Sequence, residues 1–182
     1  MTPSDRPAVS IRFSAAEIAA RVNVMANELA TQLPADTLVV SVLKGSFVFA
    51  ADLIRALSLA GADWSMDFLT LSSYGTGTQT TGSVKVVRDI VDDVRGRDVL
   101  LVDDILESGY TLSFAKDMMQ KEHGAHRVWV CTLLDKPHKR RTELKPDFTG
   151  FEAGDEFLVG YGLDWAHRFR GLPYIGVVEK TG

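Results

Sequence analysis

Apolar positions along this chain alternate between helical and extended spacing. Ile18, Val22, Met25 and Leu29 recur at helical intervals behind Ser14 and Glu17, a capping-box pair, and that helix is predicted to stop before Pro34. Leu38 to Leu43 is a short apolar run, as expected of a buried strand. It leads through Lys44-Gly45-Ser46 into a second helical pattern, Phe49, Leu53 and Leu57, closed near Gly61. Trp64 to Leu71 predicts another strand. Residues 72–82 then hold no large aliphatic side chain, and a strand resumes over Ser83 to Arg88. Val99-Leu100-Leu101-Val102 is a strand buried on both faces. Leu112, Ala115, Met118 and Met119 follow at helical spacing as far as Gly124, a stop signal. A strand is expected at Arg127 to Leu134, with weaker ones at Glu156–Val159 and Tyr174–Val178. Strands alternating with helices imply βαβ units: an α/β fold with a mainly parallel twisted sheet flanked by helices on both faces.

Sheets of this kind bind ligands beyond the carboxyl ends of their strands. Lys44-Gly45, Asp103-Asp104 and Lys136 all fall there. The densest chemistry follows Val102, in Asp103-Asp104-Ile105-Leu106-Glu107-Ser108-Gly109-Tyr110-Thr111. A strand, a small polar loop and a helix gather backbone N–H groups around one point, where the helix dipole adds partial positive charge. Gly109 lets the backbone come close, and Ser108 and Thr111 can add hydroxyl donors. The two aspartates would repel a bare phosphate. They suit a ligand that also carries hydroxyls, or a divalent cation; equally, an acidic pair closing a strand can be a turn and helix cap. The polar stretch at 72–82 is open to two readings, a flexible hairpin or a lid that excludes water. Its Gly75, Gly77 and Gly82 form no dinucleotide fingerprint, because the spacing is wrong and no helix follows.

Composition narrows the picture. The 182 residues suffice for one ample core, and 46% hydrophobic content is ordinary for a globular chain. A net charge of −4 argues against a protein devoted to nucleic acid. The lone Cys131 excludes an internal disulfide framework and fits a reducing compartment. The opening Met1-Thr2-Pro3-Ser4-Asp5-Arg6 lacks the layout of a signal peptide. The longest apolar region, near 38–60, is broken by Lys44, Asp52 and Arg55, so no membrane span is expected. These features point to a cytoplasmic protein.

Val-Leu-Leu-Val-Asp-Asp is similar to the first strand of a two-component receiver. Such a domain needs a later phosphorylatable Asp and a Lys, and too little chain remains for its roughly one hundred residues. With Glu107-Ser108-Gly109-Tyr110-Thr111 added, the stretch resembles instead the phosphoribosyl-pyrophosphate motif of the type I phosphoribosyltransferases. That motif usually runs Glu-Asp and then Asp-Thr/Ser-Gly. Here the first acid is one carbon shorter and the later one is one carbon longer. The resemblance implies that Asp103 and Asp104 face the ribose hydroxyls while Ile105, Leu106, Glu107, Ser108, Gly109, Tyr110 and Thr111 hold the 5′-phosphate.

Four more segments match in the family's order, over roughly residues 38–178. Leu43-Lys44-Gly45 looks like the pyrophosphate loop, for which a cis peptide is implied. Ser73-Tyr74 resembles the pair that caps the active site. Leu133-Leu134-Asp135-Lys136 matches the lysine that donates to a purine 6-oxo group, whereas the nearby Lys139, Arg140, Arg141 and Lys145 are expected to be solvated surface. Phe157 through Arg170 resembles the hood of the hypoxanthine-guanine type. By that match Phe157 stacks on the base, the Leu158 backbone reads its edge, Asp164 holds magnesium and Arg170 meets pyrophosphate.

The resemblance implies one domain over 1–182, with a core at about 36–135 and a hood from about 136–182 plus N-terminal residues. It further implies transfer of phosphoribosyl from phosphoribosyl pyrophosphate to N9 of hypoxanthine or guanine in purine salvage. Mg²⁺ would sit at Asp103, Asp104 and Asp164, and Glu107, Asp104 and Lys136 would carry the catalysis. The expected assembly is a homodimer or homotetramer, with no nucleic-acid or membrane partner. One alternative comes from proteins of this fold that bind RNA and regulate pyrimidine genes, for which the basic run Lys136–Lys145 would serve as the contact face. A pyrimidine or adenine transferase is a further one, but Lys136 suits a 6-oxo acceptor rather than a 6-amino donor.

Overall fold

The protein is described as a computed structural model covering residues 7–73 and 84–179. Its frame is a six-stranded sheet whose innermost strands, β2 (Leu38–Leu43), β5 (Asp98–Leu106) and β6 (Arg127–Asp135), are almost wholly apolar until their last residues. Such strands need a cover on both faces, and helices supply it. On one face Leu100, Val102, Cys131 and Leu133 pack beneath α1 (Ala15–Gln32) and α2 (Phe47–Leu59). On the other, Val99, Leu101, Val128 and Val130 pack beneath α3 (Tyr110–Asp117) and the π-helical turn Met118–Glu122 that extends it.

The sheet order is β4-β3-β2-β5-β6-β7, with β3 at Met66–Ser73, β4 at Val84–Arg88 and β7 at Phe148–Glu152. All neighbours run parallel except β3 and β4. From β2 the chain crosses outward to β3, then returns to lay β5 on the other side of β2. The crevice at the carboxyl ends of β2 and β5 is therefore a topological switch point. A second sheet, antiparallel, joins β1 (Val9–Phe13), β9 (Ile175–Val178) and β8 (Leu158–Val159).

The capping box of α1 is present. Ser14 N–H donates to Glu17 Oε2 at 2.8 Å, and Glu17 N–H returns a bond to Ser14 Oγ. Three expectations change. The central strand does not end at Val102 but runs through both aspartates to Leu106, because β6 is long enough to keep the ladder going, with Ile105 opposite Leu134 and Leu106 opposite Asp135. The loop before α3 therefore starts at Glu107. Two strands carried no recognisable pattern. β1 exists only through its pairing with β9 at the far end of the chain, and β7 is a short edge strand containing Gly150. The strand expected at Glu156–Val159 shortens to Leu158–Val159. No described helix is long and apolar enough to cross a membrane.

Candidate active site

Where β5 gives way to α3, a cavity of about 200 Å³ is lined by Asp103, Ile105, Leu106, Glu107, Ser108, Gly109, Thr111 and Leu112. Gly109 turns the chain into α3 with φ +90°, in the left-handed region. It is also hemmed in from behind: a Cβ there would lie 2.2 Å from Thr142 Oγ1 and 3.1 Å from Arg140 Cδ. The first N–H groups of α3 have no partner within the helix, so this end of the cavity favours an anion.

Strand alternation sends the two aspartates to opposite faces of β5. Asp103 is 9% exposed and lines the cavity. Asp104 lies against the loop after β2, so close that a Cβ on Gly45 would stand 1.7 Å from Asp104 Oδ2. Position 45 must therefore be glycine for the loop to meet the acid. Burial pushes the Asp103 carboxyl well above the usual aspartate range, and the neighbouring charge of Asp104 adds to the rise. Burial also raises Asp104, against its hydrogen bonds with Asp103 and Ile105 and the positive charge of Arg170. Two buried carboxylates with so little compensation call for cationic or hydroxyl partners.

The loop after β2 carries the cis peptide Leu43–Lys44, as the resemblance implied. Beneath it two buried serines meet, Ser41 Oγ and Ser46 Oγ 2.7 Å apart, and Ser46 Oγ donates to the Val42 carbonyl.

Lys136 is only 2% exposed. A buried ammonium needs acceptors, and it has two: the Glu156 carbonyl at 2.8 Å and Glu107 Oε1 at 2.8 Å. Lys139 Nζ lies 3.6 Å from the same carboxylate oxygen. Burial alone would raise the Glu107 pKa. The hydrogen bond and charge of Lys136, with the charge of Lys139, outweigh it and hold the carboxyl below its ordinary value.

In the turn between β8 and β9, Arg170 is fixed by two bonds. Its Nη1 donates to the Gly162 carbonyl at 2.7 Å, and its Nη2 pairs with Asp164 Oδ1 at 2.6 Å. Asp164 Oδ2 also accepts from His167 N–H. Phe157 is 52% exposed beside the buried Leu158, leaving its ring open to a planar ligand. Lys44-Gly45, the aspartates and loop 107–111, the Glu107–Lys136 pair, and the turn bearing Asp164 and Arg170 thus belong to the carboxyl-end side of the sheet. Ser73 closes β3, and Tyr74 lies outside the described residues. Among the described residues no three His, Cys, Asp or Glu side chains converge as a metal cluster. Asp103, Asp104 and Asp164 are therefore not one preformed ligand set.

The basic run after Lys136 requires a correction. Arg141 and Lys145 are exposed, but Lys139 is half-buried and the Arg140 side chain is only 13% exposed. Arg140 pairs with Asp135 through Nη2 and donates from Nη1 to the Leu144 carbonyl at 2.9 Å. Arg141 N–H bonds the Ser108 carbonyl, so this segment braces the loop before α3 from behind. Its charge is largely spent inside the protein, which removes the basis for an RNA-binding face. Arg140, Thr142 and the Glu156 carbonyl are contributors that sequence reasoning missed. A main-chain carbonyl leaves no signature, and an arginine in a charged run looks like surface.

Comparison with known proteins agrees with this geometry. Residues 14–165 match the phosphoribosyl transferase domain family, and the chain belongs to that family. Within it, the chain is 42% identical to the hypoxanthine phosphoribosyltransferase of Escherichia coli strain K12, over 93% of this chain and 95% of that one. It is 43% identical to the hypoxanthine-guanine phosphoribosyltransferase of Bacillus subtilis, over 94% of this chain and 93% of that one. A crystal structure of a hypoxanthine-guanine phosphoribosyltransferase from Bacillus anthracis superposes with a TM-score of 0.88 at 40% identity, covering 96% of this chain and 100% of the other.

Proposed function

We propose that this protein transfers the 5-phosphoribosyl group of phosphoribosyl pyrophosphate to N9 of a 6-oxopurine, hypoxanthine or guanine, forming IMP or GMP and releasing pyrophosphate. The observation that carries the reading is the ion pair between the buried Lys136 and the half-exposed Glu107, at the rim of the cavity before α3. It sets a cation that can donate to a 6-oxo group beside a carboxylate that can accept a ring proton.

In this reading the loop 107–111 and the N-terminus of α3 hold the 5′-phosphate, and Asp103 and Asp104 accept from the ribose hydroxyls. Lys44, Gly45 and Arg170 face the pyrophosphate, and Ser73 and Tyr74 are the pair assigned to capping the active site. Phe157 stacks on the base, and the Leu158 backbone meets its edge. Bond making joins N9 to C1′ while the C1′–oxygen bond to pyrophosphate breaks. The N7 proton passes to Glu107, and neighbouring carboxylates favour the positive charge that develops at C1′. Lys136 leaves Glu107 to donate to the 6-oxo group, which frees the carboxylate for that proton.

The donor set fits Mg²⁺. Hard carboxylates with little cationic compensation, too few for an all-protein cage, suit an ion that completes its shell with substrate oxygens. Asp103, Asp104 and Asp164 are separate points at which Mg²⁺ would be held together with substrate oxygens, and bound metal would offset charge on the departing pyrophosphate. We place the enzyme in the cytoplasm, in purine salvage, as a homodimer or homotetramer. The test is incubation with phosphoribosyl pyrophosphate, Mg²⁺ and each purine base. Formation of IMP or GMP that stops on chelation is expected, and no nucleotide from any base would refute the proposal.

A further inference from the structure

Apart from the residues assigned above, one side-chain pair ties the turn that carries Arg170 to the body of the protein. Tyr161 Oη donates to Asp52 Oδ2 on α2 at 2.5 Å, and Asp52 also pairs with Arg55. The Tyr161 ring is buried in the same apolar cluster as Phe49 and Leu53, yet its backbone takes φ +50°, a conformation uncommon for a bulky residue. Burial, and then the bond to a carboxylate, push the phenol far above its usual range, so it remains a donor. A cavity of about 280 Å³, lined by Ile18, Val48, Asp52, Tyr161, Arg170 and Pro173 among others, lies behind the turn. Packing is therefore incomplete on that side, and the hydrogen bond adds to the buried Tyr161 and Leu163 side chains in holding the turn.

The next residue shows what the link holds. Gly162 rests on the loop after β2 so closely that a Cβ would come within 2.0 Å of the Gly45 carbonyl oxygen. The Gly162 carbonyl receives Arg170 Nη1, and the N–H groups of Tyr161 and Gly162 bond the carbonyls of Leu172 and Arg170. A rotation at Tyr161 would thus shift the Gly162 seat on Gly45 and the guanidinium together.

We propose that Tyr161 and Asp52 are a positioning couple for the pyrophosphate half of the substrate: their hydrogen bond seats Gly162 on Gly45 and thereby aims Arg170. The inference rests on the phosphoribosyl-transfer reading. The wild-type enzyme is first shown to form IMP, which tests that reading by itself. Tyr161→Phe keeps the ring and removes only the hydroxyl. It is expected to raise KM for phosphoribosyl pyrophosphate about tenfold, the scale of one hydrogen bond to a charged group. Inhibition by pyrophosphate should weaken by a similar factor, with KM for hypoxanthine held within about twofold. Asp52→Leu should reproduce this split, and Asp52→Asn, which keeps an acceptor oxygen, should recover most of the lost affinity. The double variant Tyr161→Phe/Asp52→Leu should be no worse than either single one. An unchanged KM for phosphoribosyl pyrophosphate in Tyr161→Phe, an equal rise for both substrates, or additive effects would overturn the proposal.

Discussion

The two ends of the site are built by opposite means. The cavity before α3 is lined by residues within 103–112, a single strand–loop–helix passage. Its one left-handed position among those residues is filled by a glycine. The end near Gly45 is assembled from the loop after β2 and a turn more than a hundred residues later, and that turn contains the four described non-glycine residues with positive φ: Tyr161, Ala166, His167 and Phe169. Such conformations persist only where surrounding contacts over-determine them. The first draws its lining from one passage, braced from behind by residues 140–142, whereas the second exists only where two distant segments meet. Damage to a lining side chain of the first should change chemistry while sparing structure, and damage to the contact that joins the second should loosen the site.

Four substitutions press on that contrast. Glu107→Gln, at the local end, is expected to fold normally and to lose about 10²–10⁴-fold in kcat, the usual worth of a positioned acid–base group. An unchanged kcat would remove Glu107 from proton transfer. Arg140→Ala asks whether the local passage is self-sufficient. It leaves Asp135 without its cation and removes the side chain behind Gly109, so a loss of about 3 kcal/mol in urea unfolding is expected. A stability loss under about 1 kcal/mol would mean that the passage stands unaided. Gly45→Ala strikes the junction of the two ends. The added methyl must displace Asp104, and a shift of about 1 Å should lower kcat/KM by about 10²-fold.

Asp103→Asn is expected to move stability less than Arg140→Ala does, and in the opposite direction. The folded-state pKa of Asp103 is raised, so the folded protein binds this proton more tightly than the unfolded chain. The stability it contributes is full below the ordinary aspartate value of 3.8 and is lost as pH rises through the raised folded value. Neutralising it should stabilise the substrate-free protein at pH 7 by about 1 kcal/mol while impairing turnover. Calorimetry at two pH values should find the gain at pH 7 and none near pH 3.5. A loss of stability at neutral pH would contradict this account of the acid pair.

The same contrast explains what was legible in the sequence. Val99 to Val102 declares a doubly covered strand because burial on both faces leaves only apolar residues, and Ser14 and Glu17 announce a helix start through chemistry confined to three residues. The strand's continuation through Asp103 and Asp104 was hidden, since it depends on the length of the neighbouring β6. Val9 to Phe13 was silent for a similar reason, its register being set by Ile175 to Val178. Lys136 could be picked out by family likeness, but its two acceptors emerged only from the fold. Tyr161 offered no signal, as one buried tyrosine resembles another until its hydroxyl finds an acid.

The grip on Lys136 at Glu156 comes from the main chain. Every amino acid offers that same oxygen, so a substitution at 156 would cost the side chain's pairing with Arg12 but leave the ammonium its acceptor. Its partner enjoys no such latitude: no other residue supplies both the reach and the charge of lysine there.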